Sequence, residues 1–586
     1  MFCVYLFHAA KVTVIEYILK GNYNFLFIQI LIMLILIILL ICSLLYDRVC
    51  RGIYNIYKRR RLKLNLDMRT KNSIINLIVA WGTQAAIIIL NFINRTIFIK
   101  YLDTSYLGLN GLFGNILLFL SFAELGFGAA ITVGLYKPLE ENDEEQIMAI
   151  MNFFKKVYLC VGTFVFIIGT IITPFIGFFI KDIPDNIPYI HFIYLLNVFD
   201  TAISYFFTYK ATLLIADQKK YVVSANTFTF RVICMFVQII SLVLYKNYII
   251  YLIIHVITTV ITNISISIIA NRKYTFLRKK SNIKLFKDKK NEIIKNVSAT
   301  TLHKIGAVII FGTDNILISK LFGLISVGLY SNYYMIISTL TGFVGQIQES
   351  VIASVGNLGV TSDEKEIKEV FEQYLFIIFW IFGFTSICMF CLFNPFIKIW
   401  IGEKYLFDVM LVFVLVFNYF LTGFRSAAAT FDNAFGLFWN TRFLPIVEGV
   451  LNIILSVVFA KCFGLIGIFL GTMVSSLCTG LFVEPYVLYK YRVKESFFEY
   501  IKLIIFYFTI YIWGLVITYG ISNQIVVNGV ISFILKTVIV MTISNLIFCV
   551  ILYKNKNFSF VIGLIKKIFS NINLKIRDQK NRKSKK

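Results

Sequence analysis

Charged residues are scarce in this chain, and the few present lie in clumps. Asp, Glu, Lys and Arg make up 15% of the 586 residues, against 59% hydrophobic residues. That balance excludes a soluble globular protein. Histidine is nearly missing, with only His8, His191, His255 and His303 in the chain. No HExxH, phosphate loop or paired Cys/His cluster occurs, so metal and nucleotide chemistry have no support and no cofactor is expected. The ten cysteines supply no disulfide framework, because most lie in apolar runs (Cys42, Cys160, Cys234, Cys388, Cys391, Cys478, Cys549). Cys388-Met-Phe-Cys391 has redox-motif spacing, but inside FTSICMFCLF it reads as two ordinary buried thiols. Long external loops are lacking too, which removes an external catalytic domain. The chain is not expected to be an enzyme.

What is abundant is apolar sequence in runs of about 18 residues or more, the signature of membrane-spanning helices. The net charge of +26 is concentrated between them. Asp47 to Ser73, Asn271 to Asn296 and Lys554 to Lys586 carry +7, +8 and +10. Lys and Arg collect in cytoplasmic loops, so these segments set topology and are available to anionic lipid headgroups. Nucleic acid is not an expected partner. From Ser73 onward fourteen spans are predicted, six before the 271–296 linker and eight after it, which places both ends of this body inside. An additional span, Asn24 to Tyr46, is followed by Lys58-Arg59-Arg60-Arg61, the charge order of an uncleaved anchor rather than a signal peptide. Residues 1–67 read as an accessory extension or an over-long start. The tail after Lys554 lies along the inner leaflet as an interfacial helix or is simply solvated.

The two halves resemble each other at an offset of 220 residues. Leu107-Gly108-Leu109 falls on Val327-Gly328-Leu329, and Asp143-Glu144-Glu145-Gln146-Ile147 on Asp363-Glu364-Lys365-Glu366-Ile367. Repeats of this kind build many transporters. The predicted fold is all-α integral membrane: two pseudo-repeated six-helix lobes (68–270 and 297–492), two C-terminal helices (493–553), and one extra N-terminal span. A basic linker (271–296) joins the lobes, and a basic tail (554–586) closes the chain.

Polar residues recur at helical spacing inside several spans. In the fifth, Ser224, Thr227, Arg231 and Gln238 share one face, with Arg231 about 15 Å in from the cytoplasmic end. A charge at that depth costs about 2.5–3.5 kcal/mol on insertion scales and faces a cavity or a partner. The partner reading for Arg231 is a structural pair with Asp200. The fourth span gives Asn197, Thr201, Ser204 and Thr208, and the sixth His255, Thr259, Thr262 and Ser265. In the first, Gln84, Asn91 and Arg95 share a face, and the repeat puts Lys304 at the place of Gln84. The tenth has Asn418, Thr422, Arg425 and Asp432. A shared wet cavity between the lobes accounts for these stripes; hydrogen-bonded glue between helices is the alternative. Arg95, Arg425, Asp314 and Glu349 lie nearer span ends, where a charge can snorkel. The candidate binding residues are Arg231, Lys304, Asp200, Arg425, His255 and Gln84, with no metal ligand among them.

Several stretches resemble the polysaccharide-transporter flippases of the multidrug/oligosaccharidyl-lipid/polysaccharide exporter superfamily. They are Arg69-Thr-Lys-Asn-Ser, LGLNGLFGNILLFLSFAELGFGAA from Leu107, GTDNILISKLFG from Gly312, NPFIKIWIGEKYL from Asn394, and FGLFWNTRFLPIVEGVLNIIL from Phe435. The likeness covers about residues 68–490. It implies two six-helix lobes facing each other in a V, and a substrate of polyprenyl-pyrophosphate-linked oligosaccharide moved from the inner to the outer leaflet. H+, Na+ and the membrane potential are alternative couplings. A multidrug exporter of the same superfamily and a peptidoglycan-precursor flippase are the rival readings.

Overall fold

The computed structural model describes residues 68–124, 127–184, 187–278, 308–309 and 312–563. The N-terminal anchor, Lys304, most of the 271–296 linker and the end of the basic tail lie outside the described residues. The helices are α1 (Met68–Tyr101), α2 (Thr104–Leu120, interrupted at Ser121–Glu124 and resumed as Phe127–Glu141), α3 (Glu144–Ile172, extended by Thr173–Phe179), α4 (Ile190–Ala216), α5 (Lys220–Tyr245) and α6 (Tyr248–Lys273). They continue as α7 (312–322), α8 (Leu324–Thr361), α9 (Glu364–Trp400), α10 (Val409–Phe435), α11 (Leu444–Phe463), α12 (Leu465–Cys478, resumed as Gly480–Leu488), α13 (Phe497–Ser522) and α14 (Val530–Leu552). No strand occurs among the described residues. Ten of the helices are long and apolar enough to cross a membrane. The chain is an all-α, multi-pass membrane protein.

Short polar residues start the helices where the sequence leaves the lipid. The side chains of Asp103, Asp143, Asp363, Asp408, Asn247 and Ser496 each accept from a backbone N–H of the first turn, satisfying donors that would otherwise have no intrahelical partner. The helices gather around two apolar clusters. One draws on α1–α6 plus Leu324; the other, on α7–α14. α13 and α14 join the second through aromatic contacts, with Tyr507 stacked on Phe379 at 4.6 Å and Tyr511 on Phe420 at 4.0 Å. In lipid such packing, rather than a hydrophobic driving force, holds helices together.

The repeat reappears as geometry. α8 starts 220 residues after α2, and α9 starts 220 after α3. α2 and α8 cross closely: a Cβ added at Gly108 would overlap the Leu324 carbonyl, and one at Gly328 would overlap the Thr104 carbonyl. Leu324 and Thr104 are themselves related by the 220-residue offset, so one contact is made twice about a pseudo-two-fold axis. A second pair obeys the same rule. Arg95 donates to the Ser331 carbonyl at 3.3 Å, and Asn315 donates to the Gly111 carbonyl at 3.5 Å. Further hydrogen bonds between the lobes run from Trp400 Nε1 to Thr96 Oγ1 (2.7 Å), Asn115 Nδ2 to the Gly312 carbonyl (2.9 Å), and the Lys181 amide to the Ser319 carbonyl (3.1 Å). Apart from the Asn115–Gly312 bond, which lies deeper along α2 and α7, these contacts lie at the end of α1, the start of α2 and α8, the last turns of α7, just after α3, and the end of α9. They pin the lobes together at the end remote from the basic segments.

Candidate functional site

Three of the predicted site residues converge in the N-terminal lobe. Arg231 projects from α5, Asp200 from α4 and His255 from α6. His255 Nε2 stands 3.6 Å from Asp200 Oδ2, and its Nδ1 stands 4.0 Å from Cys234 Sγ. Arg231 is exposed, and its Nη2 donates to Asn91 Oδ1 of α1 at 3.3 Å, a long bond. The partner of Asp200 is therefore His255, and in place of the alternative Arg231–Asp200 pair there is an Arg231–Asn91 contact. The second Asp200 oxygen, Oδ1, is buried with no hydrogen-bond partner. Arg231 lies eleven residues into α5, about 16 Å along its axis. A guanidinium at that depth with one weak amide contact keeps most of its five donors for something else. Beneath this group Gln238 is buried, donating to the Tyr251 carbonyl at 3.1 Å, and Asn94 donates to the Tyr251 hydroxyl at 2.8 Å.

Arg425 belongs to a different environment. It is largely enclosed in the C-terminal lobe rather than snorkelling, because its Nη1 donates to Glu448 at 2.5 Å and to Ser476 at 3.1 Å, while Nη2 donates to Glu484 at 3.1 Å. Gly480, where α12 resumes after its break, leaves the space this guanidinium fills; a Cβ there would overlap it. Two more residues of the α10 stripe also face protein, while Thr422 is exposed. Asn418 donates to the Phe469 carbonyl of α12 at 2.9 Å, and Asp432 is buried. The shared-cavity account thus does not extend to Asn418, Arg425 and Asp432 of α10, which are turned into the lobe. Gln84 lies on α1 beside Gly342 of α8.

Most hydroxyls in the fourth and sixth stripes bond to their own helix. Thr201, Ser204 and Thr208 donate to carbonyls three or four residues back, as do Thr259 and Thr262. Such back-bonding satisfies a hydroxyl without a neighbouring helix. Between helices, Asn226 and Ser265 form the link, at 2.7 Å. The sequence reading missed Glu448 and Glu484, although an acid within a lipid-length apolar run is itself a signal. It also missed a nest of oxygen ligands in the C-terminal lobe. There Thr313 donates to Asn452 Oδ1 at 3.4 Å, Asn452 donates to Thr472 at 2.9 Å, and the neighbouring Asp314 has one buried oxygen without a partner. One carboxylate among neutral oxygens suits a monovalent cation or a proton. No group of three or more His, Cys, Asp or Glu side chains is placed to hold a metal ion among the described residues.

Neither a family model nor a curated protein matches the chain. Solved structures do. A lipid II flippase, MurJ, in an inward closed conformation superposes with a TM-score of 0.57 at 14% identity, over 82% of this chain and 99% of that one. A multidrug resistance MATE family transporter of the MOP superfamily, inward-facing, gives 0.56 at 12% identity, over 68% and 93%. The Vibrio cholerae MATE transporter VcmN gives 0.52 at 10%, over 73% and 99%. The chain therefore has the fold shared by these MOP-superfamily transporters, in a multi-pass membrane protein.

Proposed function

We propose that this protein is a flippase that carries polyprenyl-pyrophosphate-linked oligosaccharide repeat units from the inner to the outer leaflet, for surface polysaccharide synthesis. The observation that carries the reading is the exposed mid-membrane Arg231, held only by the long bond to Asn91. A pyrophosphate needs fixed donors that can grip two oxygens and then let go. The basic segments face the cytoplasm on this reading, so lobes pinned at the opposite end accept the substrate from inside. Moving each uncompensated negative charge outward is favoured by about 2.3 kcal/mol per 100 mV. The Asp314–Asn452–Thr472 nest is the place for H+ or Na+ to act if an ion also contributes. Lys304, at the repeat position of Gln84, is proposed to assist the head group.

Arg231→Ala removes an intramembrane charge, so the variant inserts and folds yet loses most flipping, read as surface polysaccharide at matched membrane levels. Arg231→Lys retains part, because charge survives and bidentate geometry does not. Normal polysaccharide from Arg231→Ala would overturn the assignment. The likeness in fold to a lipid II flippase favours a second reading, a peptidoglycan-precursor flippase. Rescue of cells lacking their own lipid II flippase, with no change in surface polysaccharide, would select it. A multidrug exporter would instead give drug resistance dependent on Asp200.

A further inference from the structure

Arg231 and His255 are exposed on the sides of their helices that face away from lipid. On α6 the exposed Ile253, Ile257 and Ile264 mark the face turned to the membrane, and at about 100° per residue His255 lies on the opposite side of the helix. On α5 the exposed Ile233, Val237 and Ile240 mark that face, and Arg231 lies opposite them. Both polar residues are nevertheless exposed, so they open onto a polar cleft within the lobe. The helices packed on α6 are α4 and α5. From α4, Asp200 Oδ2 stands 3.6 Å from His255 Nε2; from α5, Cys234 Sγ stands 4.0 Å from Nδ1. Arg231 is three residues before Cys234, one turn away on the same face of α5. Of the other titratable groups, Tyr251 is one turn along α6 and accepts from Asn94, and Arg95 of α1 is turned to Ser331 of the other lobe.

The imidazole thus lies between a carboxylate and a sulfur. A neutral ring has one N–H for the two of them, and a protonated ring has two. The approach to Asp200 is longer than a hydrogen bond, and Asp200 Oδ1 is buried with no partner. We propose that Asp200 and His255 form a proton-binding site whose occupancy sets how strongly the N-terminal lobe holds an anionic head group. With His255 neutral, the charge of Asp200 offsets that of Arg231. A proton taken from water onto Nε2 makes the Asp200–His255 pair neutral as a unit, so Arg231 stands uncompensated. Release of that proton restores the balance and loosens the anion. Linkage runs both ways, since a bound anion favours the protonated pair. The inference rests on the reading of Arg231 as the head-group donor and names the ligand that tightens and loosens its grip.

The test is binding of farnesyl pyrophosphate, a short polyprenyl pyrophosphate, to the full-length protein in nanodiscs at about pH 5.5 and about pH 8, either side of the ordinary histidine range. Wild type binds about tenfold tighter than His255→Gln at the lower pH, and the two are alike at the higher. Taking the ratio at each pH removes the titration of the probe itself. His255→Lys carries a fixed charge and exceeds His255→Gln at both pH values. Asp200→Asn, which removes the opposing charge, binds more tightly than wild type at about pH 8. A melting temperature close to wild type in each variant excludes misfolding as the cause. In nitrogen NMR of this four-histidine chain, one imidazole signal is lost in His255→Gln, and its protonated fraction rises when the probe binds. Equal binding by wild type and His255→Gln at both pH values, or no gain in Asp200→Asn, would overturn the inference and leave Arg231 as the donor. A full pH response in Arg231→Gln would instead keep the proton site and overturn the head-group role of Arg231.

Discussion

The two lobes each hold an arginine inside the membrane, and they treat it in opposite ways. Arg425 is enclosed by Glu448, Glu484 and Ser476, with a glycine cut away to admit it. Arg231 is exposed and touches one amide oxygen at 3.3 Å. The first arrangement satisfies the charge within the protein, leaving nothing to offer a ligand. The second leaves the charge on loan. Depth alone therefore does not identify a binding residue; the deciding quantity is how many donors the protein has already used.

The comparison breaks most sharply at Arg425. Arg425→Ala strands two buried carboxylates and destabilises the lobe by about 3–5 kcal/mol, seen as a large drop in melting temperature by fluorescence-detected gel filtration. A triple variant with Arg425→Gln, Glu448→Gln and Glu484→Gln recovers much of that loss. Arg231→Ala stays within about 0.5 kcal/mol of wild type in the same assay, and a drop as large as that of Arg425→Ala would erase the distinction.

Next come the paired glycines. Gly108→Ala and Gly328→Ala each force a backbone shift at the crossing, costing about 1–3 kcal/mol. Because the two contacts are related by the repeat, the two melting shifts should be alike. A large effect from one and none from the other would show that the axis is only approximate in energy. Trp400→Phe removes a single bond between the lobes, worth about 1 kcal/mol. Asp200→Asn is expected to have a small effect on stability, under about 1 kcal/mol, since its partner His255 is largely exposed.

Hydropathy alone was enough to read the helices, and the 220-residue offset pointed to Gly108 and Gly328, because spans and internal repeats are local or periodic signals. Convergence of Arg231, Asp200 and His255 could be suspected from their shared depth. Their pairing could not, since whether Asp200 meets Arg231 or His255 depends on the rotation of three helices about their axes. The same ignorance of rotation hid the α10 stripe: Asn418, Arg425 and Asp432 look identical in sequence whether they face water or α12. Glu448 and Glu484 were legible as intramembrane acids, but they are far from Arg425 along the chain, and only the fold brings them to it.

The crossing of α2 and α8 has a consequence for speed. Side chains interlocked at a junction must unthread before two bodies can turn, and each rotamer change adds to the barrier. At Gly108 the opposing atoms are all Leu324 backbone, and at Gly328 they are the Thr104 carbonyl and its small methyl. Such a junction behaves as a plain bearing, able to turn through small angles with little friction. The hydrogen bonds around it, from Arg95, Asn115 and Trp400, then act as detents that set how long each position is held. Turnover should accordingly be tuned by these bonds, while the bearing itself tolerates no added atom.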